Sequence, residues 1–252
     1  VSLSFLTHVV HIQLTGYTNV STDFNRFLDK PNIHPSAHVH DDATVIGHVI
    51  IGKRVFLAPH SFVRGDEGQP LFVGDESNIQ DAAGIHALET EELHNGHWVE
   101  LSKRRFSKSG ELLSPKESPS GYAVYIGKRV SIAHQSLVHG PAWVGDDTFI
   151  GMQSQIFNAK VGSNVAIGVK SLITGGVTIA NGKYVPPGSV ITTQGQADAL
   201  PVRIGSPYEG TNKAVVHVNS SLADGYNGIA SPDSSSKKAT HSEPAKAEGG
   251  QH

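Results

Sequence analysis

The chain has 252 residues, enough for one large domain, and a formal net charge of −3 that argues against a nucleic-acid-binding surface. It contains no Cys, so it has no disulfide and no thiolate metal site. No stretch is long and apolar enough to span a membrane.

Residues 1–30 read as an N-terminal extension. The first twenty, opening Val1-Ser2-Leu3-Ser4-Phe5-Leu6, are moderately apolar but broken by His8 and His11. They lack a basic start and a clear small-residue cleavage site. The localisation reading is a soluble protein, exported to a periplasm or secreted rather than cytoplasmic.

From Ile33 onward an aliphatic residue recurs every sixth position: Val39, Val45, Ile51, Leu57 and Val63, then Val73, Ile79 and Ile85. The series returns at Ile126, Ile132, Val138, Val144, Ile150 and Ile156. After one dropped residue it runs from Val161 through Ile167, Ile173, Ile179 and Val185 to Ile191. Four positions after each aliphatic stands a residue that is usually small or β-branched, such as Ala83, Ser136 or Ser154. This is the hexapeptide signature of a parallel β-helix. Each hexapeptide is a short strand and a turn, and three make one triangular coil. The expected fold is an all-β solenoid of about seven coils over residues 31–208, roughly 34 Å long at about 4.8 Å per coil.

Two interruptions break the pattern. One is Asp66-Glu67-Gly68-Gln69-Pro70, and the other is an inserted loop over 91–121 with a basic centre, Lys103 to Lys108. Residues 209–226 place Ala214, Val215, Val218, Leu222 and Tyr226 at helical spacing, which predicts a C-terminal helix along the prism. Residues 227–252 are rich in Ser, Lys, Ala, Glu and Gly and read as a disordered tail.

The chain holds fifteen His, and most read as solvated surface residues. His86, His134 and His139 do not. With the prism walls lettered A, B and C in chain order, His86 follows Ile85 on C and His139 follows Val138 on C, one coil apart. Their rings should point outward from backbones about 4.8 Å apart, a geometry for two ligands on one ion. His134 falls on wall B, around a corner that a single chain does not easily turn. Three prisms about a threefold axis bring wall B of one subunit against wall C of the next. Gln80 lies on B one coil before His134 and should enter from the same neighbour. Three imidazoles and an open position suit catalytic Zn2+, with Fe2+ or Co2+ also compatible.

The segments VRGDEGQPLFVGDESNIQDAAGIHALET (63–90) and YAVYIGKRVSIAHQSLVHGPAWVGDDTFIGMQ (122–153) resemble the gamma-class carbonic anhydrases, above all the archaeal methanogen branch. The resemblance covers roughly residues 33–226 apart from the inserted loop. It implies a left-handed β-helix, an exception to the right-handed crossover rule. It also implies a homotrimer with a metal at each interface, where metal-bound hydroxide converts CO2 to bicarbonate. His86, His134 and His139 match the metal ligands. Arg64, Asp66 and Asp81 match interface residues, the Arg also being implicated in bicarbonate binding. Glu67 and Gln80 match residues beside the reacting water, Glu89 a proton shuttle, and Asn219 a residue near the CO2 pocket.

The chain departs from that pattern in three places. His217 stands where the family has a Tyr. The N-terminal stretch has no Trp, and Phe24 or Phe27 could substitute. The loop after Glu89 is longer and basic. The alternative readings are a hexapeptide acyltransferase and a non-catalytic trimeric scaffold of the same fold.

Overall fold

The computed structural model of the chain describes residues 16–68, 70–101, 105–113 and 120–229. The hexapeptides form short parallel strands, and their aliphatic residues turn inward. Ile79, Ile85, Ile126, Ile132, Val138, Ile150 and Ile156 are all fully buried in one continuous core. The chain winds as a left-handed β-helix with three walls.

Wall A starts at Asn32–Ile33 and Val49–Ile51 and ends at Thr178–Ile179. Wall B is a seven-stranded sheet running from His38–Val39 to Tyr184–Val185. Wall C contains Thr44–Gly47, Phe62–Gly65 and Gly84–His86 and closes with Val190–Ile191. Two longer strands, Leu137–Val144 and Gln155–Val161, bend round a corner and join C to A. An isolated antiparallel bridge joins Lys183 to Val202 beyond the last coil.

The small second residue of each hexapeptide has a double role. It leaves room beside the aliphatic, and as Ser it also satisfies the turn. Ser136 Oγ donates to the Gly151 carbonyl at 2.8 Å, and Ser154 Oγ to that of Gly168 at 2.9 Å. Buried hydroxyls are tolerated because each one has a partner. The corners are tight enough to force left-handed backbone on ordinary side chains, including Ala82 at φ 54° and Gln135 at φ 61°.

The insertion after Glu89 is not a plain loop. Glu91–His94 and His97–Glu100 form an antiparallel hairpin, turned at Asn95-Gly96 with both φ values positive. Residues 105–113 then lie against wall A, where Phe72, Tyr125 and Trp143 stack at 5.0 and 5.8 Å. Lys160 Nζ donates to the Gly110 carbonyl at 2.5 Å and anchors that segment.

The basic centre of the insertion is partly spent. Arg105 is only 2% exposed and donates to Glu100 Oε1 at 2.6 Å and to the Thr90 carbonyl at 3.2 Å. It is a buried pillar under the hairpin, not a surface cation. Lys103 and Arg104 lie outside the described residues.

Two helices follow the prism. α1, Gln194–Asp198, was not anticipated, and Thr193 and Gln196 form its capping box. α2, Thr211–Tyr226, lies along wall B. Ala223 packs there on Phe56 and Ala58, and Arg54 grips Asp224 with two bonds of 3.1 and 2.7 Å. Asn227 donates to the carbonyls of Ser36 and Ala37, so the chain is still held just past α2, where the sequence suggested a disordered tail. Residues 1–15 and 230–252, the start of the expected N-terminal extension and the rest of the expected tail, lie outside the described residues. Among the described residues no helix is long and apolar enough to cross a membrane.

Candidate metal centre

Wall C carries an outward column. Ile46 pairs with Arg64, His86 with His139, and His139 with Phe157 on the next rung. The register follows from the aliphatic partners beneath, Val63 with Ile85 and Val138 with Ile85. A period-two strand that buries Ile85 must turn His86 out. The two imidazoles meet edge to face at a centroid distance of 5.1 Å.

The protons on these rings can be assigned. His139 Nδ1 lies 2.9 Å from the Gly140 carbonyl, which can only accept, so Nδ1 carries the proton and Nε2 a lone pair. His86 Nδ1 stands 3.3 Å from that Nε2. If Nδ1 donates across this gap, His86 Nε2 is a bare lone pair, 3.2 Å from Glu67 Oε1 and 3.8 Å from Asp66 Oδ1. If the proton moves to Nε2, two nitrogen lone pairs face each other instead. Either tautomer leaves acceptors facing acceptors, and both His86 Nε2 and Asp66 Oδ1 are buried without a hydrogen-bond partner.

Atoms of Asp66, Glu67 and His86 converge within 4.8 Å. A cation relieves that arrangement, so the residues fit a divalent ion. Burial first, then the Arg64 charge and His139, push His86 down to about 4, with Asp66 opposing. The ring is therefore neutral and ligand-competent at ordinary pH.

This sets a pH prediction. A His whose folded pKa lies below its unfolded value near 6.5 contributes stability that is present above 6.5 and lost as pH falls toward about 4. Melting temperatures of chelator-treated protein should fall across that window. His86→Gln should flatten the slope, and an unchanged slope in that variant would show that His86 is not its source.

The loop bearing the acids is held from three sides. Arg64 donates to Asp66 Oδ2 at 3.1 and 3.3 Å and lies 3.9 Å from Glu67. Asn25, fully buried, donates to the Asp66 carbonyl at 3.0 Å. Gly68 sits at φ 115°, and a Cβ there would lie 2.6 Å from Thr90 Oγ1, so the loop needs glycine. Glu89 is half-buried on the segment leaving the prism after His86. Phe24 is half-buried beside Asn25, while Phe27 is exposed under the Arg26 guanidinium.

The other expected residues gather elsewhere, at the corner after wall B. His134 Nδ1 lies 2.9 Å from Asp81 Oδ2. Gln80 Nε2 donates to Asn78 Oδ1, and Asn78 Nδ2 donates to Ser131 Oγ, both at 3.0 Å. Asn219 is buried on α2 and donates to the Val215 carbonyl at 2.9 Å. Gln80, Asp81, His134 and Asn219 line one cavity of about 540 Å³, whose apolar wall includes Val215 and Val218. His217 is exposed on α2 and does not line that cavity. Asp81 faces His134, so one chain makes no Arg64–Asp81 pair.

The sequence reading missed Asn78 and Asn25. Asn78 had a signal, since amides at i and i+2 on one strand share a face with Gln80. Asn25 had none, because its segment has no periodicity.

No family model matches the chain. The chain is 46% identical over 212 residues to a carbonic anhydrase of Methanosarcina thermophila, covering 82% of this chain and 79% of that protein. It is 40% identical over 180 residues to the carboxysome assembly protein CcmM of a Nostoc strain, covering 71% of this chain but 28% of that longer protein. A hexapeptide transferase family protein from Anaplasma phagocytophilum superposes with a TM-score of 0.55 at 21% identity, over 79% of this chain and 93% of that one, a likeness of fold alone. The Methanosarcina likeness spans most of both proteins. On that ground the chain belongs to the gamma-class carbonic anhydrases, the carbonate dehydratases built on this β-helix.

Proposed function

We propose that this enzyme hydrates CO2 reversibly at metal sites shared between the subunits of a homotrimer. The observation that supports it is the division of the expected residues into two half-sites. His86, His139, Asp66 and Glu67 cluster on wall C, while His134, Gln80, Asp81 and Asn219 line the cavity beside α2. Cyclic assembly joins wall C of one subunit to the B corner of the next. His86, His139 and the partner-facing His134 would hold the ion, with Zn2+ the default and Fe2+ or Co2+ also suited. Such an ion acidifies a bound water to a pKa of about 7 and so supplies hydroxide at neutral pH.

The remaining steps fall to the side chains. Glu67 accepts a hydrogen bond from the attacking water and turns its lone pair toward CO2. Gln80, its amide fixed by Asn78, positions the same oxygen. The apolar wall around Asn219 receives CO2, and Arg64 attracts the bicarbonate product. Glu89 carries the proton outward.

CO2 hydration should be lost on chelation and regained with metal at one ion per chain. Full activity in a metal-free sample would sink the reading. The likeness to CcmM favours a second reading, a non-catalytic scaffold, which predicts no hydration at any metal occupancy.

Glu89→Ala should lower kcat at low buffer and spare kcat/KM, because proton export follows CO2 attack. Imidazole buffer should then restore kcat. If stopped-flow kcat at low buffer is unchanged, Glu89 is not the sole shuttle, and Glu91, Glu92, His94 or His97 of the hairpin take its place.

A further inference from the structure

Residues 19–29 close on themselves. Asn19 N donates to the Asp29 carbonyl at 3.1 Å. The Asn19 side chain, buried, donates to the Phe27 carbonyl at 2.9 Å and accepts from Asp29 N at 2.6 Å. Thr22 Oγ1 accepts from the N–H groups of Phe24 and Asn25, at 3.3 and 2.9 Å. The segment is a compact loop whose ends meet and whose polar groups pair inside it.

Two adjacent residues tie this loop to different elements. Arg26 is exposed, pairs with Glu91 at 3.3 Å and lies over the Trp98 ring at 5.2 Å, both on the hairpin. Asn25 beside it turns inward and is fully buried. Its Oδ1 accepts from Phe27 N at 3.1 Å, which sets the orientation of the amide. Its Nδ2 donates to the Asp66 carbonyl at 3.0 Å.

That carbonyl belongs to the peptide joining Asp66 to Glu67. A peptide unit is planar, so the Asp66 carbonyl and the Glu67 N–H turn together. Holding the carbonyl fixes the direction in which the chain enters Glu67. The Asp66 side chain is held separately, by Arg64. On the far side of Glu67 stands Gly68 at φ 115°, the residue type that restrains its own backbone least. A buried amide that served only the loop would pair within it, as Asn19 does. Asn25 instead spends its donor forty-one positions away in sequence, on the peptide next to the reacting carboxylate.

We propose that Asn25 is a positioning residue for Glu67. It holds the peptide before Glu67 and so keeps that carboxylate beside His86, 3.2 Å from Nε2. The proposal rests on the reading of Glu67 as the group that orients the attacking water. Displacing such a group by about 1 Å costs up to about 10²-fold in rate.

The test is a double-mutant cycle on the metal-loaded full chain, read by isotope exchange between CO2 and bicarbonate at chemical equilibrium. Asn25→Ala should lower exchange by about 10- to 100-fold with bound metal unchanged. In a Glu67→Ala background the same substitution should cost nothing more, because the group it positions is gone. Thr22→Val keeps Asn25 but removes the hydroxyl that orients it. It should give a smaller loss with the same dependence on Glu67, and Thr22→Ser should keep the wild-type rate. This pair decides the matter if Asn25→Ala does not fold. Equal losses with and without Glu67, a loss that tracks bound metal, or wild-type exchange in Asn25→Ala while Glu67→Ala is impaired would each overturn the proposal alone. Wild-type exchange in Glu67→Ala would remove the reading of Glu67 and the proposal with it.

Discussion

Two inactive variants, His86→Ala and His134→Ala, are expected to regain about a quarter of wild-type CO2 hydration when co-expressed as mixed trimers. Each variant alone spoils every site, one from the wall C side and the other from the B corner. A mixed interface is whole when wall C comes from the His134→Ala chain and the B corner from the His86→Ala chain. Random assortment makes about one interface in four of that kind. Bound metal should return in the same proportion. The two histidines support this division. His86 sits in the Asp66–Glu67 cluster, while His134 is half exposed against Asp81. If verified mixed trimers stay as inactive as their parents, the shared site is wrong. Each variant should also loosen the trimer, which sedimentation would register.

Replacing Glu67 should damage the CO2 step itself. Its Oε1 stands 3.2 Å from His86 Nε2, and the proposed role puts it where the oxygen–carbon bond forms. Glu67→Ala should lower kcat/KM by about 10²- to 10³-fold, the range for one well-placed acid–base group. Metal content should stay near wild type, because in the proposed site the imidazoles hold the ion. The readout is isotope exchange between CO2 and bicarbonate at chemical equilibrium, which omits proton export. Unchanged exchange in Glu67→Ala would remove the assigned role. Exchange lost together with the metal would make Glu67 a support of the ligand cluster instead.

The two effects separate cleanly from that of Glu89. A lost ligand abolishes metal and rate together. A lost Glu67 lowers kcat/KM with metal present. A lost shuttle lowers kcat alone and is repaired by buffer.

The sequence by itself determined the β-helix, its three walls and the register of His86 on His139. The reason is local. A six-residue period fixes which side chain points inward, and stacking equal coils fixes which outward residues become neighbours. The same arithmetic set His134 and Gln80 on a different wall from His86, the separation on which the proposed shared site rests.

Only the tertiary structure decided what lies off the repeat. The insertion read as a loop because its strands pair with each other and obey no period of six. Arg105 looked like part of a basic surface until the hairpin closed over it and supplied Glu100. Asn25 comes near Asp66 only when the N-terminal segment folds back across forty-one positions of sequence. Asn212 reaches the Arg129 carbonyl only because α2 returns along wall B. Such contacts depend on partners distant in sequence, and composition and spacing carry no record of them.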